Sequence, residues 1–216
     1  MFDMKPIDPA KKRGWKVLVD GHEIVPGIIE ISSQFGTLTY GQRPEGYDAW
    51  VFRQMNAGGV VTIPYSFTPD GKLLVGFLYE NRANMGGVVA CVIGGFIDPG
   101  EKHDDAQARK TAEEAGIASM RATLLPGMNS NANRAFFVCD ANAGEGDHMY
   151  GLFIPYNELE SVDGDESFCL RQDAVALLPA FKKGSEMCFL PWREAVRQSP
   201  DGIFQAGVAR LLAEVL

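Results

Sequence analysis

The chain has 216 residues, 46% of them hydrophobic, enough to bury a sizeable core as one domain or as one domain plus an extension. Its 28 acidic against 20 basic residues leave a net charge of −8, and no cluster of Lys and Arg with interleaved aromatics stands out. That balance argues against a nucleic-acid partner and leaves room for a small anion held by a metal. No run reaches the ~18 apolar residues of a membrane span, and the basic start MFDMKPIDPAKKRGWK has no apolar stretch after it, so a soluble cytoplasmic protein is expected.

Residues 1–14 read as loosely ordered. From Trp15 the segments WKVLVDG, HEIVPGIIEIS and GTLTYG are short, β-rich and broken by Gly21, Pro26, Gly27 and Gly36, which predicts a small antiparallel meander. A further strand over 49–54 in turn-rich surroundings places a boundary within residues 45–58, with a β-rich unit at 1–57 and the main domain at 58–216. Residues 60–65 and 73–79 predict a hairpin turned by Thr68-Pro69-Asp70-Gly71. The apolar run 88–93 predicts a buried strand, after which Gly94, Gly95, Pro99 and Gly100 break regular structure. Good helix formers then extend from Glu101 to a stop at Gly116. Residues 120–125 and 134–140 predict strands. Near the end, FLPWREAVRQSPDGIFQAGVARLLAEVL predicts a strand, a helix, a turn and an amphipathic helix whose buried face carries Phe204, Val208, Leu211, Leu212 and Val215. Cys91, Cys139, Cys169 and Cys188 are widely spaced, form no CxxC pair and lie in or beside apolar segments, so they read as buried free thiols rather than zinc ligands or disulfides.

Within the helix that follows Glu101, residues Arg109, Glu113 and Glu114 share one side and can converge on a cation. With Gly95, Glu101, Gly116 and Ile117 they fall in register with G-x5-E-x7-R-E-U-x-E-E-x-G-U, where U is aliphatic. The stretch therefore resembles the Nudix box, the signature of enzymes that hydrolyse nucleoside diphosphates linked to another moiety. Two positions depart from it: Lys110 stands where the first core glutamate belongs, and Thr111 replaces an aliphatic residue.

The resemblance implies an α/β/α sandwich, an α+β fold whose mixed, curved sheet lies between the box helix and the C-terminal helix, preceded by the small β-rich unit. In ADP-ribose pyrophosphatase-like relatives such a unit takes part in forming a homodimer. The resemblance also implies Mg²⁺ or Mn²⁺ held by Glu113, Glu114 and Glu101, with Arg109 orienting Glu101 and the Gly95 turn letting backbone approach the site. Some members of the family draw a further catalytic glutamate from outside the box, for which Glu145 and Glu186 are the candidates. Tyr79 with Arg82 resembles a pair that ends the strand before the box in enzymes for ADP-ribose-like substrates. Arg82 would then hold a phosphate, the alternative being a solvated arginine on a strand end. LLPGMNSNANRAFFV resembles a Ser-Pro-Gly stretch found after the box in those enzymes, with Leu125 in place of the serine.

The patterns FIPYNE at 153–158 and FLPWRE at 189–194 repeat each other, and the second resembles the family's usual ending more closely. That places an insertion around 148–184, whose DAVALLPAFKKG predicts a short helix ended near Pro179. His148 reads as solvated in a polar loop, the alternative being a contact with substrate, and His103 reads as exposed. The expected substrate is a small nucleotide of ADP-ribose or nucleotide-sugar type, hydrolysed at its pyrophosphate. Lys110 reverses the local charge and, four residues before Glu114, can pair with it, its ammonium taking the place of one metal. Two outcomes stay open: hydrolysis with a reduced metal set, or a catalytically impaired protein of the same fold that binds a nucleotide or regulates a partner.

Overall fold

The computed structural model describes residues 6, 17–19, 22–24, 28–33, 36–42, 48–54, 58–82, 86–117, 122–125, 147–162, 164, 166–175 and 187–216. The described residues fall into two compact units that separate between Gly58 and Gly59. In the first, β1 (Val17–Val19) and β2 (His22–Ile24) form an antiparallel hairpin. Strands β3 (Ile29–Ser33), β4 (Gly36–Gln42) and β5 (Asp48–Gln54) form a three-stranded antiparallel sheet. These strands lie in the stretch where the sequence predicts short β segments.

The second unit is built on β6 (Gly59–Phe67) and β7 (Leu73–Arg82), joined by the expected turn. Gly71 takes φ 83°, a conformation that favours glycine, and its N–H donates to Thr68 O at 2.9 Å. The two strands pair only near the turn, Tyr65–Phe67 against Leu73–Val75. The chain from 87 to 96 then serves both: β8 (Gly87–Cys91) pairs with β7, and β9 (Ile93–Phe96) pairs with β6. The single strand predicted over 88–93 is thus two strands broken at Val92. One straight strand cannot hydrogen-bond both diverging partners, and the Val92 N–H turns instead to Asp201 Oδ2 at 3.4 Å.

After the helix α1 (His103–Ala115), β10 (Ala122–Leu124) pairs with β11 (Asp147–Phe153), which runs parallel to β6 across its whole length. Residues 148–153 of the segment expected to hold an insertion therefore lie in the central sheet. Beyond them come a single 3₁₀ turn at Tyr156–Glu158, β12 (Leu159–Ser161), β13 (Phe168–Leu170) and β14 (Met187–Pro191). The sheet order is β10-β11-β6-β7-β14-β13-β12. The strand predicted at 134–140 and the helix end near Pro179 lie outside the described residues. Cys91 is buried, and Cys169 and Cys188 are half-buried, none of the three in a disulfide; Cys139 lies outside the described residues.

Alternation along the strands sorts side chains to two faces. Val61, Ile63, Val75, Phe77 and Met149 pack with Ala195 of α2 (Trp192–Gln198) and with Phe204, Val208 and Leu211 of α3 (Gly202–Val215). On the opposite face Val60 and Tyr150 pack with Ala106, while Leu74, Leu78 and Leu152 pack with Ala115. The α/β/α layering expected from the resemblance is what the chain forms, with a mixed sheet between α1 and the C-terminal helices. Among the described residues no helix is long and apolar enough to cross a membrane.

Asp201 ties two of these layers together. Its side chain caps α3 by accepting from Ile203 N at 2.9 Å and Phe204 N at 3.3 Å, and it also receives the Val92 N–H. Asp201→Ala is expected to cost about 1–2 kcal/mol of stability, read as a lowered urea midpoint at unchanged slope.

Candidate functional site

Helix α1 carries two polar faces for two different purposes. Its sheet-facing side buries Ala106, Gln107, Thr111 and Ala115. Gln107 Nε2 donates to Thr111 Oγ1 at 2.9 Å and to Thr62 Oγ1 at 3.3 Å, and Thr111 Oγ1 lies 3.4 Å from Thr62 Oγ1. Thr111, placed where the motif has an aliphatic residue, is accommodated because the buried hydroxyl finds partners in Gln107 on α1 and Thr62 on β6. The helix starts at His103, two residues after the expected Glu101. Glu101 is held in the preceding turn: its N–H donates to Asp98 O at 3.0 Å and its carboxylate accepts from Asp98 N at 2.9 Å. The helix ends as expected at Gly116, whose φ of 68° is left-handed and whose N–H caps Ala112 O.

The other side of α1 presents Arg109, Lys110, Glu113 and Glu114. Arg109 grips Glu101 with two parallel contacts, Nε to Oε1 at 2.8 Å and Nη2 to Oε2 at 2.7 Å. The same guanidinium reaches Phe96 O at 3.3 Å, Asp98 at 3.5 Å and Glu113 at 3.6 Å. These contacts raise the Arg109 pKa further above its already high value, and the Arg109 hydrogen bond draws the Glu101 carboxyl below the ordinary glutamate range. Lys110 Nζ lies 3.3 Å from Glu113 Oε2 and 3.9 Å from Glu114 Oε1. Glu114 Oε2 accepts from the Gly94 N–H at 3.1 Å. Burial pushes the Glu114 pKa up, with Glu80 and Glu113 adding to the rise, against the Gly94 hydrogen bond and Lys110.

Glu80 was not singled out from the sequence. It follows Leu74 and Leu78 at even spacing on β7, the face that turns to α1, and that alternation was the available signal. Arg82, the proposed phosphate ligand, is paired with Glu80 at 2.6 Å on the same strand. Gly95 stands on β9 opposite Val60 of β6. Glu145 and Glu186 lie outside the described residues. The histidines expected to be solvated instead stack on each other, His103 on His148, with ring centroids 3.7 Å apart. Beside them Tyr150 donates to Asp104 Oδ1 at 2.8 Å, and burial lowers the His148 pKa to about 4.

In this arrangement each carboxylate already has a partner: Glu101 has Arg109, Glu113 has Lys110 and Arg109, and Glu114 has the Gly94 N–H. Among the described residues no three His, Cys, Asp or Glu side chains come together as a metal-binding group. The set Glu101, Glu113 and Glu114 does not fit a three-carboxylate metal centre while both cations stay where they are.

No family model and no curated protein matches the chain. Among solved structures, an ADP compounds hydrolase is similar at 15% identity and a TM-score of 0.49, covering 87% of this chain and 91% of its own. A C. elegans Ap4A hydrolase in a binary complex is similar at 14% identity and a TM-score of 0.47, over 74% of this chain and 97% of its own. A second structure of C. elegans Ap4A hydrolase is similar at 14% identity and a TM-score of 0.46, over 75% of this chain and all 100% of its own.

The Glu101–Arg109 clamp makes the metal-free fold sensitive to acid. Because the folded pKa of Glu101 is lowered, its stabilisation is complete above the unfolded value of ~4.3 and is lost as pH falls through the folded value. In EDTA, thermal melts of Glu101→Gln are expected to lie below the native protein at neutral pH and to converge on it at acid pH.

Proposed function

We propose that the chain is a Nudix-type pyrophosphohydrolase that cleaves the pyrophosphate of a nucleoside diphosphate linked to another moiety, of ADP-ribose or nucleotide-sugar type. The observation that carries this reading is the closure of the box register in space. Arg109 clamps Glu101 across the β9–α1 turn, and Glu114, one turn further along, is fastened to the strand by the Gly94 N–H. Glu114, whose proton affinity burial has raised, takes the proton of the attacking water. Arg109 holds the turn in place, and Arg82 binds a substrate phosphate on leaving Glu80. Mg²⁺ or Mn²⁺ is the cofactor of this reading: Glu101, Glu113 and Glu114 would hold it only once Arg109 and Lys110 withdraw from them, and it would then supply positive charge against the phosphates. Glu145 or Glu186 supplies a further carboxylate. A homodimer formed through residues 1–57 and a cytoplasmic location complete the proposal.

The contacts of Lys110 with both Glu113 and Glu114 favour a second reading, a non-catalytic nucleotide-binding or regulatory protein of the same fold. A hydrolysis screen over ADP-ribose, nucleotide sugars and dinucleoside polyphosphates with Mg²⁺ and Mn²⁺ separates the two. Turnover that Glu114→Gln removes supports the enzyme. Nucleotide binding without turnover by the native protein, with activity appearing in Lys110→Glu, supports the second reading and sinks the first.

A further inference from the structure

Lys110 is seated as well as paired. A Cβ built on Gly95 would lie 2.7 Å from Lys110 Cε, 3.2 Å from its Nζ and 3.3 Å from its Cδ, and no other group approaches as closely. The lysine stem therefore lies over the bare Gly95 backbone, which delivers the ammonium to Glu113 Oε2 at 3.3 Å and Glu114 Oε1 at 3.9 Å. The lysine side chain is 21% exposed, and the two glutamates 18% and 21%, so the three charges meet in a half-buried setting where screening by water is reduced. A divalent cation drawn to these two carboxylates meets the ammonium first.

We infer that Lys110 is a built-in competitor for the divalent cation at Glu113 and Glu114, seated there by Gly95, so that metal binds only when the lysine swings away. This rests on the proposed pyrophosphohydrolase reading for its biological sense, while the competition itself is a property of the four residues. Two kinds of change displace the ammonium. Lys110→Met removes the charge and adds no ligand. Gly95→Ala keeps every charge but puts a methyl group against the far end of the lysine, which must move.

The test is Mn²⁺ binding by the full chain without nucleotide, read by electron paramagnetic resonance and by the Mn²⁺-dependent rise in melting temperature. Lys110→Met is expected to bind Mn²⁺ roughly tenfold or more tighter than the native protein. Gly95→Ala should change in the same direction, and the gain should vanish when Glu114→Gln is added to Lys110→Met. Lys110→Gln repeats the first arm should the methionine variant fail to fold. Unchanged Mn²⁺ affinity in the Lys110 variants, or a gain that survives Glu114→Gln, overturns the inference. Turnover in the substrate screen alongside unchanged Mn²⁺ affinity would leave the enzyme reading standing and remove the competitor. Tighter Mn²⁺ binding without turnover would do the reverse.

Discussion

Glu114→Gln is expected to lower turnover by about 10²- to 10⁴-fold while the protein stays folded. The glutamine keeps an oxygen that can accept the Gly94 N–H, so the link between α1 and β9 survives. What disappears is the ionisable carboxylate, and with it proton acceptance from water. Burial already raises the pKa of this group, so losing the charge relieves a desolvation penalty and forfeits only the longer of the two Lys110 contacts. Stability should therefore change by no more than about 1 kcal/mol. Steady-state hydrolysis together with a urea melt tests both halves. A variant that folds and turns over at the native rate would remove Glu114 from the chemistry.

Gly94→Ala is expected to damage both the fold and the site. A Cβ at this position would lie 2.5 Å from Val60 O and 3.4 Å from Val61 Cα, both backbone atoms of the central strand β6. Neither can rotate out of the way as a side chain would, so β9 must lift off β6. The cost is about 1–3 kcal/mol by the usual scale of overpacking. The same shift moves the Gly94 N–H away from Glu114, so activity should fall even at temperatures where the variant is folded. Gly202→Ala is the matched control: a Cβ there meets nothing within 4 Å, at the first position of α3. It should be neutral or slightly stabilising. Equal urea midpoints for the two variants would contradict the packing argument.

Much of this architecture is written locally in the chain. The turn at Thr68–Gly71, the stop of α1 at Gly116 and the apolar face of α3 at Phe204, Val208 and Leu211 each follow from a residue type or a helical period acting over a few positions. The same period places Arg109, Glu113 and Glu114 on one side of α1, and the grip of Arg109 on Glu101 was implied by the motif resemblance rather than by any spacing.

Other features depend on partners far away in sequence. The break of the 88–93 run at Val92 exists because β6 and β7 diverge and because Asp201, more than a hundred residues on, receives its N–H. Glu80 acts on Glu114 only because β7 delivers it to the α1 face. His103 and His148 stack because β11 runs beside β6 under the start of α1. The substitution at Lys110 is visible in the sequence as a reversed charge, but its consequence is not. Periodicity allowed it a partner at Glu114, whereas the bare backbone of Gly95 seats the stem so that the ammonium lies nearer Glu113. Residue type and period determined which groups stand on the site; the packing of strands onto the helix decided which of them touch.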